Sequence, residues 1–212
     1  PYTTLFRSRD LIWGIMAIGV YITFRVLDFA DLTVDGTLAT GGAALVMCMM
    51  SGMNVYLAMC VSFVVGCAAG FVTGVLNTVL GIPPILAGIL TQLALYSINL
   101  RILGKSNQPL SSYNYHLIAS MTNITKAIIV VAIFVIAIIA ILYWFFGTEL
   151  GHAIRATGCN QNLAKANGIN TNSAKIIALV LSNGLVALAR GLLAQYQGFA
   201  DVNMGRGAIV IG

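Results

Sequence analysis

Between two apolar runs of membrane-spanning length, residues 127–146 and 176–194, lies a polar, glycine-bearing stretch, GTELGHAIRATGCNQNLAKANGINTNSAK, residues 147–175. A soluble protein has no use for a naked apolar helix of this kind, whereas about 20 such residues cross a bilayer. The insert therefore reads as a structured loop at a membrane face, where a partner can touch it. The chain as a whole reads as part of a polytopic transport protein.

Composition agrees. Of 212 residues 59% are hydrophobic and 8% charged, against roughly 25% charged in an ordinary soluble domain. Such a chain cannot clothe a water-facing surface, so its medium is the lipid bilayer. The net charge of +5 comes from eleven dispersed Lys and Arg. With no basic cluster, nucleic acid is excluded as a partner, and positive residues at the ends of spans explain the balance. Cys48, Cys60, Cys67 and Cys159 have no metal or redox spacing; the first three lie in apolar segments and read as small hydrophobes.

Along the chain, five or six membrane segments are expected, packed as an all-α helical bundle with short broken or re-entrant pieces. Residues 1–10, PYTTLFRSRD, look like a non-native or disordered leader, and 11–212 like a single membrane domain cut short at its C-terminus. The first span runs over 11–29. The polar break DFADLTVDG separates it from a short segment, 37–50, which is either a broken or re-entrant helix or half of a tight turn between tilted spans. In the span 54–80, Gly66, Gly70 and Gly74 recur every fourth residue and so share one face, where another helix can approach closely. Pro83 and Pro84 then open the next span, 85–102, since proline in a first turn forfeits no backbone hydrogen bond. In that span Gln92, Tyr96 and Asn99 share a face. They serve either helix–helix hydrogen bonding or solute contact on a translocation path, and Asn183, inside the span 176–194, likewise faces protein or a pore.

The polar segment 104–126 contains an isolated His116, read as a surface residue, and an Asn123-Ile124-Thr125 sequon that matters only in a secretory lumen. No enzyme site stands out. A Ser/His/Asp set, a Gly-x-Ser-x-Gly elbow, a Walker phosphate loop, a His-Glu-x-x-His helix and metal-ligand spacings are all missing from the sequence. Lys and Arg are split three against three between the two polar segments, so charge leaves sidedness open.

Gly151, Arg155, Ala156, Gly158, Asn160, Ala164, Gly168 and Ile169, in GHAIRATGCNQNLAKANGI, resemble the cytoplasmic coupling loop of bacterial ABC-transporter permeases, in the class serving branched-chain amino acids and ribose. LDFADLTVDGT (27–37), LAGILTQLALYSINLRILG (86–104) and AQYQGFADVNMGRGAIVIG (194–212) are similar to the tryptophan/tyrosine-type, substrate-binding-protein-dependent subgroup. Pro83-Pro84, where that subgroup often has Arg-Pro, and Arg206 depart from it. The likeness runs in order from Leu11 to Gly212.

The resemblance implies a permease of the bacterial inner membrane with no catalytic site or cofactor of its own. ATP and Mg2+ would act on a separate cytoplasmic ABC ATPase subunit. A second permease copy or paralogue would complete the path, and an extracytoplasmic substrate-binding protein would deliver the cargo. An amino acid is the favoured cargo; sugar or nucleoside import, or an ATPase-independent channel or ion-coupled carrier, are the alternatives. Within the loop, Gly151 and Gly158 are expected to bracket a short helix carrying Leu150 and Ile154 as an apolar ridge beside Arg155. Asn160 is expected to cap the next turn and Gly168 to end it. Asp201 to Gly205 read as a loop into a further span, either a structural turn or close to a gate.

Overall fold

The computed structural model describes residues 2–104, 107–109 and 124–201, with the backbone alone over 2–9, 107–109 and 124–128. It is a helical bundle. Helix α1 (Tyr2–Tyr21) passes directly into a π-helical stretch, Ile22–Val26. An irregular bend follows, in which Asp28 takes a positive φ of 53°. The other long helices are α2 (Thr33–Met50), α3 (Val55–Thr78), α4 (Pro84–Leu103), α5 (Ile124–Phe146) and α8 (Thr171–Gln197). Between the last two lie α6 (Glu149–Cys159) and α7 (Gln161–Ala166). Two three-residue strands, β1 (Asn107–Pro109) and β2 (Phe199–Asp201), pair antiparallel.

Among the described residues five helices are long and apolar enough to cross a membrane: α2, α3, α4, residues 129–146 of α5, and α8. They are not equivalent. Within their most apolar windows 78% of α2 and 72% of α8 residues are buried but only 17% of those in α5; α8, packed against α1, α2 and α3, is the post around which they stand, and α5 is left largely to lipid.

Small residues set the spacing around α8. A Cβ at Gly66 would strike Ala187, one at Gly70 would strike the Leu179 carbonyl, and one at Gly74 would lie 3.0 Å from Ile176 Cγ1. The descending partner numbers make α3 antiparallel to α8. On α2, Gly41 presses on Ala187 and Gly42 on Arg190, so α2 runs parallel to α8. On α1, Gly19 meets Ser182 and Val186. Without a hydrophobic driving force in lipid, such close backbone approach is what supplies packing energy. Helix α4 runs beside α2: Gly88 meets Leu32 and Gly36 meets Gln92.

These directions bring α6, α7 and the start of α8 to one end of the bundle, and β1, β2 and the end of α8 to the other. Strand β1, before α5, and the helical pair α6–α7, after it, thus lie at opposite ends.

Several boundaries differ from the sequence reading. Helix α2 begins at Thr33, four residues before the expected segment, because its polar first turn is satisfied inside the bundle. At 18 residues it is about 27 Å long, short of a hydrocarbon core of about 30 Å. Helix α8 starts at Thr171 because the Asn170 side chain accepts from Ser173 N at 3.2 Å. The backbone is helical from Tyr2, so no element boundary falls at Leu11. His116, Asn123 of the sequon and residues 202–212 lie outside the described residues.

Candidate functional site

The interior is crossed by a polar seam that begins in the bend before α2. Asp31, with no exposed surface, accepts from Thr33 N at 2.9 Å and from Asn183 Nδ2 at 2.7 Å. The amide oxygen of Asn183 accepts from the Thr37 hydroxyl at 2.7 Å. This ties the start of α2 to the middle of α8. A second chain links three helices: the hydroxyls of Thr33 and Thr73 are 2.8 Å apart, and Thr73 donates to Thr91 at 3.0 Å. Further along, the Ser62 hydroxyl lies 2.9 Å from the Gly41 carbonyl and 3.0 Å from that of Ala187. Polar groups placed in hydrocarbon have to be satisfied by protein, and here nearly every one is.

Asn99 is satisfied only in part. Thr40 spends its hydroxyl proton on the Gly36 carbonyl, 2.8 Å away, so it can only accept from Asn99 Nδ2 at 3.0 Å. That fixes the amide's orientation and turns Oδ1 away from Thr40. Asn99 has no exposed surface, yet among the described residues its Oδ1 has no hydrogen-bond partner. A buried acceptor left unmade costs about 1–3 kcal/mol. Asn99 lines a cavity of about 170 Å³ between α2 and α4, together with Gln92, Tyr96, Asp35 and Gly36. The structure thus brings the three stripe residues of α4 to one cavity and adds Asp35 opposite them. Asn183 is elsewhere: Gly36 and Thr40 turn to α4 whereas Thr37 and Gly41 turn to α8, so its contacts lie on the other side of α2.

The segment between α5 and α8 forms two short helices. Gly151 and Gly158 do not bracket α6 but lie within it. A Cβ at Gly151 would strike Phe146, and one at Gly158 would strike the Val26 carbonyl, so these glycines seat α6 on the ends of α5 and of the α1 extension. Ile154 is fully buried between those contacts while Leu150 is 50% exposed. The two therefore do not form one outward ridge: Ile154 anchors α6 and Leu150 is left outside. Arg155 stacks on the Phe146 ring, 5.3 Å from its centroid, and Ala156 is partly buried. The Asn160 side chain caps α7, accepting from Asn162 N and Leu163 N at 3.1 and 3.0 Å. Gly168, at φ 79°, ends it: Ile169 N reaches the Ala164 carbonyl and Gly168 N that of Lys165, each at 3.0 Å. This pair of bonds is a Schellman closure, so α7 is a helix capped at both ends rather than part of a loose loop.

Sequence reasoning missed Asp31 and Asp35 as interior residues because three aspartates in nine positions read as a break. Their signal was helical spacing: Asp31 and Asp35 are four apart, as are Thr33 and Thr37. Among the described residues no group of three or more His, Cys, Asp or Glu side chains could hold a metal ion.

Long apolar helices around a hydrogen-bonded polar seam, joined at one end by a capped helical pair, define a multi-pass helical membrane protein. The chain belongs to the permease-component family of branched-chain amino acid transport systems, whose pattern matches residues 7–212. It is 42% identical to a tyrosine transport system permease protein of Clostridioides difficile (strain R20291), over 97% of this chain and 68% of that one. An uncharacterized protein of Rickettsia prowazekii (strain Madrid E) is 33% identical over 97% of this chain and 72% of its own length. A fructose import permease protein of Bifidobacterium longum (strain NCC 2705) is 28% identical over 77% and 47% respectively. No solved structure gives a significant match. The chain is an ABC-type permease subunit for a small solute, a multi-pass protein of the bacterial inner membrane.

Proposed function

We propose that the solute is an amino acid, tyrosine or one like it, moved inward by ATP hydrolysed on a separate cytoplasmic ATPase subunit. The observation that carries this reading is the 42% identity, over 97% of the chain, to a tyrosine transport system permease. The 170 Å³ cavity fits it. Its wall offers the free acceptor of Asn99 with Gln92 and Tyr96 beside it, a surface suited to a solute that donates hydrogen bonds. Asn183 belongs to the frame that holds α2 against α8.

The segment 147–175 is the coupling element. Gly151, Ile154 and Gly158 clamp α6 to the ends of α1 and α5, so displacement of α6 carries both helices with it. Leu150, Asn160 and Gly168 lie on the accessible side and present the segment to the ATPase. A rigid body pinned to flanking spans meets the mechanical need of alternating access. In this arrangement a second permease copy or paralogue completes the path, and an extracytoplasmic binding protein supplies the cargo at the β1–β2 end. ATP and Mg2+ reside on the ATPase.

The test is uptake by proteoliposomes holding the full-length protein with its ATPase and binding protein, using labelled tyrosine, leucine and fructose. Tyrosine entry that needs ATP, and falls about tenfold in Asn99→Leu as the loss of one buried hydrogen bond predicts, supports the reading. Fructose entry alone would favour the sugar alternative, and uptake without ATP would make the protein an ion-coupled carrier or channel.

A further inference from the structure

A groove of about 910 Å³ between α1, α5 and α6 borders the proposed coupling segment, from which it takes His152 and Arg155, and is not explained by solute or ATPase contact. Most of its depth is apolar, walled by Ile18 and Ile22 on one side and Ile139 and Leu142 on the other. At its α6 end the lining changes to Arg25, His152 and Arg155, and among the described residues no acidic side chain borders it. Arg155 is held there by the face of Phe146. His152 has its Nδ1 2.8 Å from the Thr148 carbonyl, which can only accept; the ring therefore donates from Nδ1 and leaves Nε2 free for other contacts.

The depth of this change is marked independently. Tyr21, Tyr143 and Trp144 are 58%, 85% and 73% exposed on the same ends of α1 and α5, and exposed aromatic rings of this kind collect at the headgroup level of a bilayer. The apolar wall therefore lies at acyl-chain depth and the cations at headgroup depth. Helix α5 supplies half the wall and is the span left most open to lipid.

We propose that this groove binds an anionic phospholipid, with its phosphate on Arg25 and Arg155 and an acyl chain along Ile22, Ile139 and Leu142. Charge selects the headgroup: a choline or ethanolamine would bring a third cation to a site with no carboxylate to receive it. The apolar wall selects a lipid over free phosphate, which gains nothing from burying Ile139. It also disfavours a soluble protein partner, which cannot reach acyl-chain depth. Basic pockets at the ends of membrane helices bind acidic headgroups for the same physical reason.

Native mass spectrometry of the delipidated full-length protein tests this, with dioleoylphosphatidylglycerol and dioleoylphosphatidylcholine titrated separately. The wild type is expected to hold phosphatidylglycerol the more tightly. Arg25→Gln with Arg155→Gln should lower that affinity on the order of tenfold and leave phosphatidylcholine unchanged, which also shows that the variant is folded. Arg25→Lys with Arg155→Lys should retain most of it, and Ile139→Trp, which fills the wall without touching charge, should lower it again. Equal affinity for the two lipids, undiminished phosphatidylglycerol binding in the Gln pair, or displacement of phosphatidylglycerol by millimolar inorganic phosphate would overturn the proposal. So would a groove filled by another span of the full-length protein, seen as no bound lipid in any variant.

Discussion

Replacing Asn183 by leucine removes the tie between α2 and α8 while nearly preserving volume. The Leu179 carbonyl loses a 3.1 Å bond from Nδ2, and two buried side chains lose a partner. The Asp31 carboxyl loses the 2.7 Å bond from Nδ2 but keeps Thr33 N, and the Thr37 hydroxyl loses its 2.7 Å acceptor but keeps the Thr33 carbonyl at 3.0 Å. An orphaned buried group costs about 1–3 kcal/mol. With each group still holding a second partner, a total of about 3 kcal/mol is expected. For a protein of this size that lowers the unfolding midpoint by about 6–12 °C, measurable by light scattering or intrinsic fluorescence in detergent. Asp31→Asn supplies the control. It places an NH2 where a donor already points, either Thr33 N–H or Asn183 Nδ2–H, and so destabilises by itself. In the double variant the opposing Asn183 donor is gone, and that variant's loss should be at least about 1 kcal/mol smaller than the sum of the two single losses. Strict additivity of the two, or an unchanged midpoint in Asn183→Leu alone, would refute the seam as a structural tie.

Gly70→Val should be far worse than its chemistry suggests, because its Cβ meets only backbone: the Leu179 carbonyl, with Val180 Cα at 3.0 Å. Helix α3 has to back away, at a cost of about 1–3 kcal/mol or more, seen as lost monodispersity on size-exclusion chromatography. Gly14→Ala, whose Cβ would meet nothing within 4 Å, should be neutral or stabilising by up to about 1 kcal/mol. Asn160→Ala removes both cap bonds of α7 for about 1 kcal/mol. It should lower ATP-driven uptake more than global thermal stability, since the loosened element is the one proposed to transmit force; equal uptake would show that α7 need not be rigid.

Much of this architecture is legible in the sequence because apolar length and glycine spacing are strong signals in a membrane protein. The spans at 54–80 and 85–102 fall within two residues of α3 and α4, and Pro84 stands at the start of α4 as a first-turn proline should. The cap at Asn160 and the stop at Gly168 follow from local chemistry alone, so they too can be read directly. What is not legible depends on partners far along the chain. Thr33 and Asp35 look like loop residues until Thr73 of α3 and the α4 cavity are in place around them. Gly151 and Gly158 look like helix ends because glycine often is one. Only the approach of Phe146 and Val26 shows that they are contact points inside α6. Ile154 and Leu150 share a spacing, but only the bundle's own end decides which of them is covered. The π-helical Ile22–Val26 carries no marker of its own.

The central claim is that this chain transmits work done elsewhere, through the segment between α5 and α8. Its most direct test is purification of the tagged full-length protein from native membranes in mild detergent, followed by mass spectrometry of what stays bound. The account predicts a stoichiometric subunit bearing a Gly-x-x-x-x-Gly-Lys-Ser/Thr phosphate loop, weakened when exposed Leu150 and Leu163 are changed to aspartate and the permease itself remains folded. Recovery of the permease without any nucleotide-binding subunit, under extraction that preserves other membrane complexes, would contradict it.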